Sequence, residues 1–218
     1  MIRYSIIIPS SGKRPLALGL ALDSVFASVQ HAKLDKNAIQ VLVGFDGMKG
    51  ERVRSDARIV WVDFPADHDF GNAIRNGLLC AAKGERIVFL DDDNALTLDA
   101  FSIYGCWPEI ELFIGRIDVS RAHTISFLPR EEPERDPVYP GNIDPLCLCL
   151  SRDLVVNRCR GWLGKGYEAD FLNIVRYSRR AHSRWQTDDL VGIYDAGVGL
   201  DLNGTNFRTR AHAKGNEK

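Results

Sequence analysis

Four short apolar runs rich in β-branched residues recur in the first half of the chain. They span Tyr4 to Ile8, Ile39 to Phe45, Ile59 to Phe64 and Ile87 to Leu90. Each run is too short for a typical helix and is mostly apolar on both faces, which is characteristic of strands buried in a parallel sheet. The runs therefore predict a sheet that is covered on both sides.

Two helices are predicted between these strands. In the first, apolar residues recur at helical spacing, at Leu18, Leu22, Val25, Phe26 and Val29. The segment from Asn72 to Ala82 has a similar pattern, and Gly84 lies where a helix-ending glycine is expected. This alternation predicts an α/β fold with an open, mostly parallel sheet flanked by helices and right-handed crossovers.

Polar residues follow the predicted strands, at the point where each strand ends. They are Pro9 to Gly12, Asp46 with Gly47, Asp63, and Asp91 to Asn94. Ligands of open α/β sheets bind outside the carboxyl ends of the strands. We therefore expect these polar groups to converge on one crevice.

The second half of the sequence is less regular. Strands are predicted at Phe113 to Ile117 and at Ile143 to Leu150, on either side of a proline-rich loop from Pro129 to Gly141. A helix is predicted from Asp170 to Arg179, because apolar residues share one face there and an aspartate lies in its first turn. The tail from Ala211 to Lys218 is expected to be disordered.

Charge and cysteine content exclude several classes of function. With 28 basic and 29 acidic residues, no global field draws the chain to nucleic acid or to an anionic membrane. Five cysteines without a C-x-x-C pair argue against a disulfide framework and a zinc site, and favour a reducing cytoplasm. No apolar run approaches the ~20 residues of a membrane span, so we expect any membrane contact to be peripheral.

The triplet Asp91, Asp92 and Asp93 is the strongest candidate for a chemical site. Three adjacent carboxylates after a buried strand repel one another, and a divalent cation or a hydrogen-bonded ligand would relieve that repulsion. Oxygen ligands favour Mg²⁺ or Mn²⁺. A solvated acidic turn, or Asp93 capping a helix near Leu96, explains the triplet equally well.

Four segments in order resemble family 2 glycosyltransferases of the GT-A fold: Ser5 to Ser10, Val43 to Gly47, Gly71 to Gly77 and Gly84 to Asn94. The resemblance implies one domain over residues 1–210, with a nucleotide-sugar-binding half at 1–100 and an acceptor half at 101–210. It also implies that the donor is a nucleoside-diphosphate sugar, with uridine or thymidine as the nucleoside, and that Mn²⁺ or Mg²⁺ is bound.

The resemblance also implies roles for the residues that match. Pro9 and Ser10 would lie against the nucleotide, Asp46 would accept a hydrogen bond from the base, and Arg75 would lie close by. The alternative for Asp46 is a turn with Gly47, and for Arg75 a solvated helix side chain.

Within the triplet, the resemblance places Asp92 at the ribose and Asp93 at the metal that bridges the donor diphosphate. Asp91 is a second candidate for contact with the metal and the donor. A cation beside a departing diphosphate would stabilise the negative charge that accumulates there.

The catalytic base is expected at the predicted helix of the second half. Inverting glycosyl transfer needs a carboxylate to take the proton of the acceptor hydroxyl, and the resemblance points to Asp170. The family pattern has an acidic pair here, whereas this chain has Ala169 at the first position and Glu168 one residue earlier. Either carboxylate is therefore a candidate base, and helix capping is the alternative role of Asp170.

The sequence thus predicts a metal-dependent inverting glycosyltransferase that acts on a glycan, a lipid-linked acceptor or a small molecule. A non-catalytic nucleotide-sugar-binding module is one alternative. A phosphatase of the haloacid dehalogenase type is another, although its D-x-D motif normally follows the first strand. The segment Asp67 to Asp69 and the lone His182 are weaker metal candidates. A partner chain could complete the acceptor site, and the oligomeric state is left open.

Overall fold

A computed structural model describes residues 1–201, so the predicted disordered tail lies outside the described residues. The first half alternates strands and helices: β1 Tyr4–Ser10, α1 Pro15–His31, β2 Ile39–Asp46, β3 Ile59–Phe64, α2 Asn72–Ala81 and β4 Arg86–Phe89. The second half contains β5 Ala95–Leu96, α3 Ala100–Gly105, β6 Leu112–Asp118, β7 Phe127–Leu128, a 3₁₀ turn Pro145–Cys147, β8 Leu148–Ser151, a π-helical segment Asp153–Arg158, α4 Ala169–Arg180 and β9 Arg184–Ile193.

The strands form one open sheet in the order β3-β2-β1-β4-β8-β6-β9-β5, with β7 paired to β6. The strands β3, β2, β1 and β4 are parallel, and Ile7 of β1 is aligned with Leu42 of β2 and Phe89 of β4. The antiparallel ladders that involve β8, β5 and β7 are shorter than the parallel ones. The predicted open, mostly parallel α/β sheet flanked by helices is therefore confirmed.

The core lies where the apolar runs predict it. Ile6, Ile7 and Ile8 of β1 are fully buried, which shows that both faces of this strand are covered. Leu18 and Leu22 form part of the buried face of α1. Burial on both sides of the sheet fixes where β1 and β4 end, and hence where the polar residues after them lie.

Two sequence expectations were wrong in detail. The strand predicted from Ile143 begins only at Leu148, because Pro145 has no N–H to donate to a ladder and Asp144 caps a 3₁₀ turn instead. Gly84 does not end α2 in a left-handed conformation, since the helix ends at Ala81 and Ala82 is extended.

Within residues 1–201, no helix combines the length and apolar character that a membrane span requires. All five cysteines lie within the described residues as free thiols.

Candidate active site

The acidic triplet forms a tight turn directly after β4. The Asn94 N–H donates to the Asp91 carbonyl oxygen at 3.1 Å, which closes the turn. Because β1 and β4 are parallel neighbours, the turn lies beside the end of β1, and the Ser10 hydroxyl donates to Asp92 Oδ2 at 2.5 Å. The predicted convergence of these two strand ends is therefore present.

Arg14 neutralises two of the three carboxylates. It precedes Pro15, the first residue of α1, and its guanidinium donates to both Asp92 and Asp93. Asp92 is only 1% exposed. Burial raises the pKa of Asp92 to about 7, Arg14 opposes that rise, and the neighbouring charge of Asp93 adds to it. Burial likewise raises the pKa of Asp93 and Arg14 opposes that rise, so a further cation beside the two carboxylates would favour their ionised forms.

Arg75 forms the second cationic centre of the site. It lies in the first half of α2, is 2% exposed and donates to Asp91 Oδ1 at 2.5 Å and to the Phe70 carbonyl oxygen at 2.8 Å. Its guanidinium also lies over the ring of Trp162, 5.0 Å from the centroid. The alternative of a solvated helix side chain is therefore wrong for Arg75.

Asp170 joins the cluster from α4. Its Oδ1 lies 3.9 Å from Arg75 Nη1, and its side chain is half-buried. Burial raises the pKa of Asp170 to about 6, Arg75 counteracts that rise, and Asp91 reinforces it. Glu168 lies at the exposed N-terminal boundary of α4. Of the two candidate bases, only Asp170 contacts the residues that surround the triplet.

The structure adds two carboxylates that the sequence analysis missed. Burial raises the pKa of Asp144 to about 7, and the charge of Asp91 raises it further. Asp195, at the end of β9, is buried and close enough to contribute to the raised pKa of Asp93. Both residues are distant from the triplet in sequence, so only the fold reveals that they belong to the same acidic region.

The remaining predicted nucleotide contacts lie on either side of this cluster. Pro9 is buried and packs close to Gly71, which adopts a left-handed conformation before α2. Asp46 accepts hydrogen bonds from the backbone N–H groups of Asp67 and His68 at 2.7 and 3.0 Å. Its part in recognising a base stays a prediction, and these bonds show that it also shapes the loop before α2.

The weaker candidates have partners outside the triplet. Asp63 pairs with Arg52 at the edge strand β3, and the exposed His182 lies 3.6 Å from Glu111. Asp69, the last residue of the second acidic segment, accepts the Gly166 backbone N–H at 2.7 Å. Each of these side chains is accounted for by a local structural contact.

A shallow crevice, too narrow in this structure to hold a water molecule, lies between the ends of β1 and β2 and the start of α1. It is lined by Ser10, Gly12, Arg14, Pro15, Leu18, Phe45 and Glu51. The crevice lies at the carboxyl ends of parallel strands, where such sheets bind ligands. It borders the Ser10–Asp92 contact.

The carboxylates of the turn after β4 are candidate ligands of a divalent cation. Within residues 1–201, no three His, Cys, Asp or Glu side chains are arranged to enclose a metal ion. Asp91 and Asp93 nevertheless present hard oxygen atoms on one turn, and Mg²⁺ is commonly held by one or two carboxylates with substrate phosphates and water. The residues therefore fit a cation that binds together with a diphosphate rather than a cation held by protein alone.

Comparison with solved structures shows which folds this chain resembles. The crystal structure of S. aureus TarS 1-349 matches with a TM-score of 0.71 and 13% identity, covering 88% of this chain and 60% of that one. TarS in complex with UDP-GlcNAc matches with a TM-score of 0.70 and 14% identity, covering 88% and 58%. The mannosyltransferase PcManGT from Pyrobaculum calidifontis, in complex with GDP-Man and Mn²⁺, matches at 0.60 with 15% identity, covering 88% and 56%.

The chain thus has the GT-A-like fold that its sequence motifs implied, and it spans 60% of the TarS 1-349 structure and 36% of the longer TarS structure. No protein-family model matches the sequence, and no curated protein is significantly similar to it. Membership of family 2 stays a prediction.

Proposed function

We propose that this protein is an inverting glycosyltransferase that moves a sugar from a nucleoside diphosphate to a hydroxyl group of an acceptor. The observation that carries the proposal is the position of Asp170, 3.9 Å from the arginine that binds the acidic turn after β4. One cluster thereby contains a carboxylate suited to proton transfer and a turn suited to a charged donor.

The donor is proposed to bind over the crevice beside β1 and β2, which would have to widen for it, with its diphosphate toward Asp93. Pro9, Ser10 and Asp92 would contact the nucleoside, and Arg14 lies where a guanidinium can pair with phosphate oxygens. Uridine is the nucleoside we propose, in line with the UDP and UDP-GlcNAc complexes of TarS. Thymidine and guanine nucleotides are the competitors to be tested.

Asp170 is proposed to be the catalytic base. Its carboxylate would take the proton of the acceptor hydroxyl while the acceptor oxygen forms a bond to the anomeric carbon. The bond from that carbon to the donor phosphate oxygen breaks at the same time, and the nucleoside diphosphate leaves with the electron pair. A base with a pKa of about 6 is ionised at neutral pH and still accepts a proton readily.

The departing diphosphate needs positive charge beside it. Asp93, with Asp91, would hold Mn²⁺ or Mg²⁺ there, and that cation would stabilise the charge that develops on the leaving group. Arg14 and Arg75 pair with the same carboxylates and offset part of their negative charge before the donor arrives.

A thermal-shift series tests the donor site. UDP, dTDP and GDP are each added with and without Mn²⁺ to the wild type and to Asp93→Asn. We expect UDP with Mn²⁺ to stabilise the wild type by about 2.7 kcal/mol at a hundred times its Kd. The gain should be smaller in the variant, and a flat response to all three nucleotides would overturn the proposal.

The main alternative is a module that binds the nucleotide sugar without catalysis. Asp170→Asn separates the two functions, because the change should leave nucleotide binding intact and abolish release of UDP from a UDP-sugar. If the wild type binds UDP with Mn²⁺ but releases none from UDP-GlcNAc, UDP-glucose or UDP-galactose in the presence of acceptor saccharides, the binding module is favoured.

A further inference from the structure

Two exposed aromatic rings contact each other near the candidate base. Phe70 is 55% exposed and Tyr167 is 68% exposed, and their ring centroids lie 5.9 Å apart in an edge-to-face arrangement. We call these two residues the aromatic pair. Among the described residues four Phe, Tyr or Trp side chains are exposed, the others being Phe127 at 39% and Trp185 at 40%. Half of the exposed rings are therefore together at one place.

The two loops that carry the aromatic pair are tied to each other. Asp69, beside Phe70, accepts the Gly166 backbone N–H at 2.7 Å, and Asn72 donates its side-chain amide to the Gly166 carbonyl oxygen at 3.1 Å. The Asn72 side-chain oxygen in turn accepts the indole N–H of the buried Trp162 at 2.9 Å. The rings are thus presented on a fixed base, which limits the ordering cost of binding a ligand.

The backbone at Phe70 supports a functional role. Its φ is +53°, a conformation that residues with a side chain rarely adopt, and the Arg75 guanidinium holds its carbonyl oxygen at 2.8 Å. Strained backbone of this kind concentrates at ligand-binding sites. Here the strain accompanies a phenyl ring that points a large apolar surface toward water.

The position of the aromatic pair connects it to the proposed chemistry. The same Nη1 atom of Arg75 that binds the Phe70 carbonyl oxygen lies 3.9 Å from Asp170 Oδ1. The loop that carries Phe70 is therefore linked through one guanidinium to the carboxylate that is proposed to deprotonate the acceptor.

We infer that the aromatic pair binds a sugar ring of the acceptor, so that the acceptor is a saccharide; this inference rests on the proposed function. A pyranose has an apolar C–H face that can pack on an aromatic ring and hydroxyl groups at its rim that can reach a carboxylate. The pair offers the first surface and Asp170 the second, which is the combination of apolar wall and few polar groups typical of small-molecule sites.

A lipid-linked acceptor is the competing occupant. The exposed Leu163 and Leu172 lie on the same two elements as Tyr167 and Asp170 and would extend the apolar surface for an acyl or isoprenoid chain.

We favour the saccharide because Phe70 and Tyr167 are bordered by Asp69, Lys165 and Asp170. These charged neighbours suit a hydroxyl-rich ligand better than a hydrocarbon.

Saturation-transfer NMR tests the inference with soluble probes: chitotriose, cellotriose, mannotriose and galactotriose, each with UDP and Mn²⁺ present. The variants are Phe70→Leu and Tyr167→Leu, which keep apolar volume but remove the aromatic face, and Tyr167→Phe, which keeps the ring. Phe127→Leu is the matched control, since it replaces an exposed ring of β7. UDP binding is measured calorimetrically on every variant.

We expect at least one trisaccharide to bind the wild type, with signal on the C–H protons of one ring. Each leucine variant should weaken its binding about tenfold, while Tyr167→Phe and the control bind as the wild type does. UDP affinity should be unchanged throughout, which shows that each variant is folded.

Three results would overturn the inference. The first is that none of the four trisaccharides binds while UDP does. The second is that a trisaccharide binds equally well to the wild type and to the leucine variants. The third is that decaprenyl phosphate in detergent micelles binds, the leucine variants abolish that binding, and no trisaccharide binds. In all three the donor site of the proposed function stands. Failure of UDP itself to bind would instead count against the proposed function.

Discussion

Arg75 Nη1 lies 3.9 Å from Asp170 Oδ1, while its second terminal nitrogen donates to Asp91 Oδ1 at 2.5 Å. One buried guanidinium thus links the helix that carries the candidate base to the turn that carries the donor carboxylates. Because the positive charge favours the ionised form of Asp170, Arg75 keeps the pKa of this carboxyl lower than burial alone would set it.

The first prediction concerns Asp170 and pH. Activity should fall as the pH drops below about 6, because the base is then protonated and accepts no proton from the acceptor. Asp170→Asn should lower kcat by about 10²–10⁴-fold, and the residual rate should lose this acidic limb. The measurement is UDP release between pH 5 and 8. Glu168→Gln is the matched control, and a larger loss in that variant would move the base to Glu168.

The second prediction concerns the burial of Arg75. Arg75→Gln removes a buried cation from Asp91 and leaves the Phe70 carbonyl oxygen with a weaker donor. We expect a loss of about 2–4 kcal/mol in the free energy of unfolding, below the value for a fully buried pair because Asp91 is 39% exposed. Urea denaturation measures it.

The control for Arg75 is Arg52→Gln, which removes the partner of Asp63 at the exposed edge of the sheet. This surface pair should contribute less than about 1 kcal/mol. Equal losses in the two variants would mean that Arg75 is not the structural centre of the cluster.

The first half of the fold was predictable because its signals are local. Strands β1, β2 and β4 are continuous apolar runs whose two faces are both buried, so hydrophobicity alone marks them. Strand β3 lies at the edge of the sheet and is mostly half-buried or exposed, although its sequence predicts the same burial. Strand β9 was missed, since its residues from Arg184 to Leu190 are mostly polar and exposed. Its place in the sheet comes from pairing with β6, a contact between distant segments that no local pattern encodes.

The candidate site likewise contains contacts that the sequence predicts and contacts that only the fold creates. The Ser10–Asp92 contact follows from two strand ends that lie side by side, so the motifs and the parallel sheet predict it together. Arg14 follows no recognisable pattern, and its pairing with Asp92 and Asp93 depends on how α1 packs. Asp144 was read as part of a strand, and only the 3₁₀ turn at Pro145 brings its carboxyl into the acidic region.

The third prediction uses Asp144. Burial and the charge of Asp91 raise its pKa from 3.8 to about 7, so the folded state holds this proton more tightly than the unfolded state. Its contribution to stability is therefore complete below about pH 4 and is lost as the pH rises toward 7. Asp144→Asn keeps an oxygen that accepts the Leu146 N–H and removes the buried charge.

We expect Asp144→Asn to raise the free energy of unfolding by about 1–3 kcal/mol at pH 8, and by less at pH 4.5. Asp56→Asn is a control of opposite sign, since the hydrogen bond from Arg58 lowers the pKa of Asp56 to about 2. That variant should be destabilised at neutral pH, and the difference should shrink as the pH falls toward 2. An Asp144→Asn protein that is less stable at pH 8 would contradict the assignment.

The last prediction tests the packing between β1 and the segment before β4. Gly84 lies against the first residues of β1, and a Cβ atom there would be 2.4 Å from the Ser5 backbone nitrogen and 2.5 Å from the Tyr4 carbonyl carbon. Because backbone cannot move aside as a flexible side chain does, Gly84→Ala must push β4 and β1 apart. We expect a loss of about 2 kcal/mol or more in the free energy of unfolding, together with weaker UDP binding, since these strands position Ser10 and Asp92.

Gly19 provides the matched control for that substitution. It lies in the middle of α1, and a Cβ atom there would meet no neighbour within 4 Å. Gly19→Ala should therefore raise the free energy of unfolding by about 0.5–1 kcal/mol, because alanine loses less conformational freedom in a helix. Thermal melts of the two variants should shift in opposite directions. If both alanines stabilise the protein, the close contact of Gly84 with β1 is wrong, and with it the register that brings Ser10 to the acidic turn.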